Sequence, residues 1–249
     1  MPWIAPGLIQ VHLPKTGGTW VGACLRDLVP GSDRLRGTHD PVWTLTQSER
    51  AGRLTFGTIR DPWSWYASLY THACRSGGER LVDLCAYGRG SVEFKRVLCG
   101  MTHPWDAEIP DSVTVLAHAR DGAKTAFRTS RVGLATWFAW YMYAARYVWQ
   151  GGSPDLCWGV DALLDTARLY EGMGALLGQV ISPDDRPHHN ARIARGGGRY
   201  DPTGEYPDWY DAEMIEWVRE ADAPLVEDFG FRPFEGSETA IHSVRRWVA

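Results

Sequence analysis

Lysine is scarce in this 249-residue chain. Of 26 basic residues only Lys15, Lys95 and Lys124 are lysines, and 30 acidic residues bring the net charge to −4. That balance argues against a general nucleic-acid binder driven by phosphate neutralisation, and leaves room for a local anion pocket. The five cysteines (Cys24, Cys74, Cys85, Cys99, Cys157) form no CxxC pair and no metal-ligand spacing. An odd number fits a reducing compartment, with the thiols serving as small apolar residues. No run approaches the ~20 apolar residues of a membrane span. No basic stretch precedes an apolar one at the N-terminus, so no signal peptide is expected. Repeats and low-complexity tracts are absent too. The expectation is a soluble, cytoplasmic protein with no membrane partner, no nucleic-acid partner and no metal.

Hydrophobic residues make up 44% of the chain and charged residues 22%, the proportions of a chain with a substantial core. The length is read as one domain over residues 1–249. Leu8-Ile9-Gln10-Val11-His12 predicts a buried strand, a turn follows at Pro14 to Gly18, and a helix runs from Thr19 to Leu28 before Pro30-Gly31. Thr46 to Glu49 spells a capping box. Leu54 to Ile59 predicts a second buried strand, and Asp61-Pro62 opens a helix with cap and proline in their favoured places. Strand, turn, helix, twice over, indicates an α/β fold with a central parallel sheet flanked by helices. Further on, helices are expected over 91–98, 134–148, 165–177 and 209–221, the last ended by Pro224. A late strand is expected over 156–160, and Pro187 to Tyr206 reads as a surface loop. The helix from Leu134 carries Trp137, Phe138, Trp140, Tyr141 and Tyr143, apolar nearly all round as a buried helix is. The alternative is that some of these rings line a groove.

The most informative segment is His12-Leu13-Pro14-Lys15-Thr16-Gly17-Gly18-Thr19-Trp20, between a strand and a helix. Two glycines let the backbone approach an anion, and the helix start presents unpaired N–H groups at the positive end of its dipole. Lys15 adds a full charge, and Thr16 and Thr19 add hydroxyls. The lysine precedes both glycines, unlike a Walker A loop. A second element follows: Arg60 at the tip of the later strand and Ser68 eight positions on. Asp61, Ser64, Ser68 and Thr71 fall opposite the apolar face made by Trp63, Tyr66, Ala67, Tyr70 and Cys74. Arg60 and Ser68 can therefore converge on one anion, the guanidinium supplying paired donors. Two anion sites on neighbouring strand–helix units imply a ligand with two separated phosphates.

Pro14-Lys15-Thr16-Gly17-Gly18-Thr19-Trp20 resembles the 5′-phosphosulfate loop of the sulfotransferases, and Arg60 to Ser68 resembles their 3′-phosphate motif. The likeness covers residues 8–74 and extends weakly to Tyr210–Phe234. It implies a three-layer P-loop-like α/β fold and a sulfuryl donor, 3′-phosphoadenosine 5′-phosphosulfate (PAPS). The resemblance assigns Lys15 to the 5′-phosphate and bridging oxygen, and Thr16, Gly17, Gly18 and Thr19 to the phosphate. It sets Trp20 near the adenine, and Arg60 and Ser68 on the 3′-phosphate.

Between the two motifs lies Arg36-Gly37-Thr38-His39-Asp40-Pro41-Val42-Trp43-Thr44-Leu45. Thr-His-x-Pro is similar to the catalytic-histidine segment of the cytosolic sulfotransferases, and a histidine before Trp-Thr-x-Leu is similar to the glycan 6-O-sulfotransferases. Both point to His39 as general base, a role suited to imidazole at neutral pH. The cytosolic enzymes carry a lysine two residues before that histidine, where this chain has Gly37. They also carry a basic triplet on the 3′-phosphate, where this chain offers Arg192 to Arg199, a flap or a solvated loop. The resemblance implies sulfuryl transfer to a hydroxyl of a small molecule or glycan, the Trp43-Thr44 context favouring a carbohydrate. Lys15 and His39 are the catalytic residues of that reading. A nucleotide kinase and a non-catalytic binding module remain alternatives. The sequence names neither the acceptor nor an oligomeric state.

Overall fold

The computed structural model describes residues 2–35, 39–75, 92–103, 127, 130–144, 158–179 and 207–244. Strand β1 (Trp3–Ala5) turns through Pro6-Gly7, with Gly7 at φ 74°, straight into β2 (Leu8–Gln10), its antiparallel neighbour. Strand β3 (Asp33–Arg34) pairs antiparallel with the outer side of β1. Strands β4 (Leu54–Ile59) and β5 (Ala162–Asp165) continue parallel to β2, and β6 (Ile241–Ser243) closes the far edge antiparallel. The six-stranded order is β3-β1-β2-β4-β5-β6. This corrects the expected parallel sheet: the sheet is mixed, with β2, β4 and β5 paired parallel while β1 and β6 run against their neighbours. A two-residue connection such as Pro6-Gly7 forms a hairpin, whereas parallel neighbours need a crossover of a dozen residues or more.

Alternation along the strands sorts the helices onto two faces. Leu8, Phe56, Ala162 and Leu164 pack against α1 (Gly18–Leu28) through Val21, Leu25 and Leu28, and against α6 (Leu169–Leu177) through Leu169, Met173 and Leu176. Ile59 and Leu163 point into the opposite layer. That layer holds α3 (Pro62–Arg75), α4 (Val92–Thr102), α5 (Leu134–Tyr143), α7 (Ala212–Ala221) and α8 (Ala223–Phe229). All ten residues of α5 are buried, so its aromatic rings are core. The expected capping box is present on α2 (Gln47–Arg50): Thr46 Oγ1 accepts from the Glu49 N–H, and Glu49 accepts from the Thr46 N–H.

Several expectations shift. The late strand lies at Ala162–Asp165; of the expected 156–160, residues 156 and 157 lie outside the described residues, and Trp158 forms a bridge to Ala144. Asp161 sets the new start by accepting the Thr55 N–H at 2.7 Å. Helix α5 stops at Tyr143, where Ala144 is already extended. Pro224 opens α8 instead of ending α7, because a proline in a first helical turn has no N–H to leave unpaired. Residues 61–70 are all buried, the serine side of α3 included. The loop expected at Pro187–Tyr206, Arg192 to Arg199 included, lies outside the described residues.

Helix α5 is capped from a distance. Gly133 at its N-cap has no side chain to offer, and Asp222 takes that role from the α7–α8 junction. Its Oδ1 accepts the Thr136 N–H and its Oδ2 the Tyr66 hydroxyl, both at 2.7 Å. Burial pushes the Asp222 carboxyl up to about 6. No helix among the described residues is long and apolar enough to cross a membrane.

Candidate functional site

The loop from Leu13 to Gly18 lies where β2, β4 and β5 end, on the side where open α/β sheets bind ligands. The ladder between β2 and β4 runs on to Val11, whose N–H donates to Phe56 O at 2.8 Å. Beyond it the chain leaves the sheet, with positive φ at Lys15 (65°) and Gly17 (77°) on either side of Thr16. Left-handed backbone costs a residue with a Cβ roughly 1–2 kcal/mol, so Lys15 is held there by its surroundings.

Those surroundings are a set of interior donors. Thr16 Oγ1 donates to Leu13 O at 2.7 Å, Trp65 Nε1 to Pro14 O at 2.9 Å and Arg60 Nη1 to Lys15 O at 3.3 Å. Thr166 Oγ1 donates to Thr16 O at 3.2 Å, and Gln10 Nε2 to Gly18 O at 3.1 Å. Gly17 O accepts the Trp20 and Val21 N–H groups in the first turn of α1. Every carbonyl from Leu13 to Gly18 is thus bonded on the protein side. In a trans peptide the N–H points away from the preceding carbonyl. The N–H groups of Thr16 and Gly17 consequently face outward, joined by those of Gly18 and Thr19 at the helix start. None of these four N–H groups donates to a described residue. Orphan donors at a helix N-terminus are an anion site.

The two motifs separated in sequence meet here. Arg60, 4% exposed at the tip of β4, touches the Lys15 carbonyl. Thr58 Oγ1 lies 2.6 Å from Thr16 Oγ1. Lys15 and Trp20 are half-buried and Thr19 is exposed. Trp20 meets Tyr170 edge-on at 4.9 Å between ring centres. The Thr16 side chain differs from its assigned part: its hydroxyl is interior and holds the loop, leaving its N–H to face a ligand. Ser68 lies two turns along α3, buried, with a hydroxyl that bonds to no described residue. Asp61 caps α3 by accepting the Ser64 N–H at 2.8 Å, and burial raises its carboxyl against the opposing pull of Arg60.

His39 comes to the same place from its own segment. Its Nδ1 is 3.2 Å from the carbonyl oxygen of His12, and the two imidazoles sit 4.9 Å apart. A carbonyl only accepts, so the neutral ring carries its proton on Nδ1 and its lone pair on Nε2, the basic nitrogen. The His12 ring in turn lies on Gly18, where any Cβ would collide with it. Arg36, Gly37 and Thr38 lie outside the described residues.

Sequence reasoning missed the donors under the loop. Gln10 was visible as a lone polar residue in an apolar strand. Trp65 falls off the face that carries Trp63 and Tyr66, and Thr166 follows a strand expected six residues earlier. Tyr143 is a further hidden support: its hydroxyl donates to Thr58 O at 2.7 Å and accepts the Thr58 N–H at 3.0 Å. Among the described residues no group of three or more His, Cys, Asp or Glu is arranged to hold a metal ion. Comparison with known proteins found no matching family model, no similar curated protein and no similar solved structure.

Proposed function

We propose that this chain is a sulfotransferase that moves the sulfuryl group of PAPS to a hydroxyl of an acceptor, with a carbohydrate as the favoured class. The observation that carries the reading is the loop with its carbonyls turned in and its N–H groups turned out, against Arg60 on the adjacent strand tip. Together they fit a ligand with two anionic groups, as PAPS has.

In this reading the loop N–H groups and Lys15 hold the 5′-phosphosulfate, and Arg60 and Ser68 hold the 3′-phosphate. His39 Nε2 takes the proton of the acceptor hydroxyl. The acceptor oxygen forms its bond to sulfur as the bond from sulfur to the bridging oxygen breaks. The electron pair leaves on the 5′-phosphate of adenosine 3′,5′-bisphosphate. Charge grows on that phosphate in the transition state, where fixed donors stabilise it without reorganising. In-line displacement through a loose transition state follows the logic of phosphoryl transfer.

The test is acceptor-dependent release of adenosine 3′,5′-bisphosphate from PAPS over a panel of hydroxyl acceptors, carbohydrates included. His39→Ala lowers turnover by ~10²–10⁴-fold and leaves nucleotide affinity intact. Lys15→Ala lowers both. Wild-type turnover in His39→Ala moves the base elsewhere, and nucleotide binding without transfer to any acceptor makes the chain a binding module.

A further inference from the structure

We propose that Thr166 is a positioning residue that locks the outward face of the anion loop, an inference that rests on the anion-binding reading above. Thr166 follows β5 and is 1% exposed. Its hydroxyl lies between two carbonyls of other elements, Ile59 O at 2.7 Å and Thr16 O at 3.2 Å, and shares its single proton between them. It is the one donor under the loop that comes from the third parallel strand, and it ties both motif segments to that strand.

The bond to Thr16 O matters because of which peptide it holds. The Thr16 carbonyl and the Gly17 N–H belong to a single peptide plane, so fixing the oxygen inward fixes the N–H outward. That plane is the easiest in the loop to turn over. Gly17, at φ 77°, has no Cβ to confine it, and glycine visits both signs of φ with similar ease. The next plane is secured differently, because Gly17 O accepts two helical N–H groups. Only Thr166 bonds Thr16 O among the described residues. Leu169 Cδ2 also fills the space where a Gly17 Cβ would be, with Thr166 Cγ2 beside it at 3.8 Å. The same glycine that lets the loop approach an anion thus leaves one donor free to flip, and Thr166 supplies the lock.

A flipped plane presents a carbonyl oxygen to the anion, so only the locked fraction of molecules binds, and apparent affinity falls in proportion. Thr166→Val keeps the shape and removes the donor. The lost hydrogen bond lowers the locked-to-flipped ratio by roughly fivefold, and affinity falls with the locked fraction, by no more than that factor. Thr166→Ser restores the donor without the methyl group.

The experiment is calorimetric titration of the full chain, well below its melting temperature, with adenosine 3′,5′-bisphosphate and with inorganic pyrophosphate. The Gly17 amide resonance is recorded for each variant. The expected result is wild-type affinity in Thr166→Ser, an equal loss of up to roughly fivefold for both ligands in Thr166→Val, and a displaced Gly17 amide resonance in Thr166→Val alone. A general structural role lowers the melting temperature of Thr166→Val and leaves affinity and the Gly17 resonance unchanged; that result overturns the proposal while the functional reading stands. A wild-type chain that binds neither ligand overturns the functional reading itself, and the proposal with it. If Thr166→Val does not fold, Thr166→Ala is read by the same two measurements.

Discussion

Asp222 gives the fold a pH dependence of definite sign. Burial raises its carboxyl from 3.8 to about 6, so the folded chain holds this proton more tightly than the unfolded one. A carboxyl raised in this way contributes stability that is fully present below the unfolded value and is lost as pH climbs through the folded one. Linkage between 3.8 and about 6 gives roughly 1.3 kcal/mol lost from pH 5 to pH 7, out of about 3 kcal/mol for the whole shift. In a chain of this size 1 kcal/mol moves Tm by ~2–4 °C, so the loss amounts to roughly 3–5 °C. Asp222→Asn removes the titration and keeps the geometry. The amide oxygen accepts the Thr136 N–H, its NH₂ faces the Tyr66 oxygen, and the Tyr66 hydroxyl turns to Met101 O, 3.5 Å away. Scanning calorimetry of both proteins at pH 5, 6 and 7 cancels every other titrating group in the difference. Parallel curves of Tm against pH for the two proteins would refute this account of Asp222.

Two further outcomes follow from the loop and its support. Lys15→Gly relieves the left-handed strain at φ 65° and should raise stability by about 1 kcal/mol in denaturant titrations. The same change should abolish sulfuryl transfer, since it removes the loop's cation; a variant no more stable than wild type contradicts the first statement, and a fully active one contradicts the second. Gly57→Ala places a Cβ 2.5 Å from Tyr143 Cζ. The ring must leave β4 and surrender its two bonds to Thr58, at a cost of about 2–4 kcal/mol read by urea midpoints. A neutral Gly57→Ala shows that Tyr143 does not support the loop.

Some of this architecture is local and therefore legible in sequence. Strand β4 is an apolar run bounded by Gly52 and by Arg60-Asp61-Pro62, and the capping box of α2 involves residues three apart. The glycine turn before α1 belongs to the same class, because two glycines beside a rare lysine are visible without tertiary information. Strand β5 is different. Leu156-Cys157-Trp158-Gly159-Val160 is as apolar as Ala162-Leu163-Leu164, and what decides between them is the Asp161 carboxylate reaching Thr55 across the sheet. The burial of Ser64 and Ser68 depends on helices packed over α3, which periodicity within α3 does not contain. The inward turn of the Thr16 hydroxyl depends likewise on Thr58, 42 residues away. Donors such as Trp65 and Thr166 acquire their roles only when three strand tips come together.

The central claim is that the site takes two separated anionic groups, one on the loop and one at Arg60. Calorimetric titration with adenosine 3′,5′-bisphosphate and with 5′-AMP tests it most directly, since the two ligands differ only in the 3′-phosphate. A charge-assisted contact to Arg60 is worth roughly 1.5–3 kcal/mol, so the bisphosphate should bind about ten- to a hundredfold more tightly. Arg60→Ala should erase that difference, since any loosening of the Lys15 carbonyl is common to both nucleotides. Equal affinity for the two nucleotides in the wild-type protein would contradict the account.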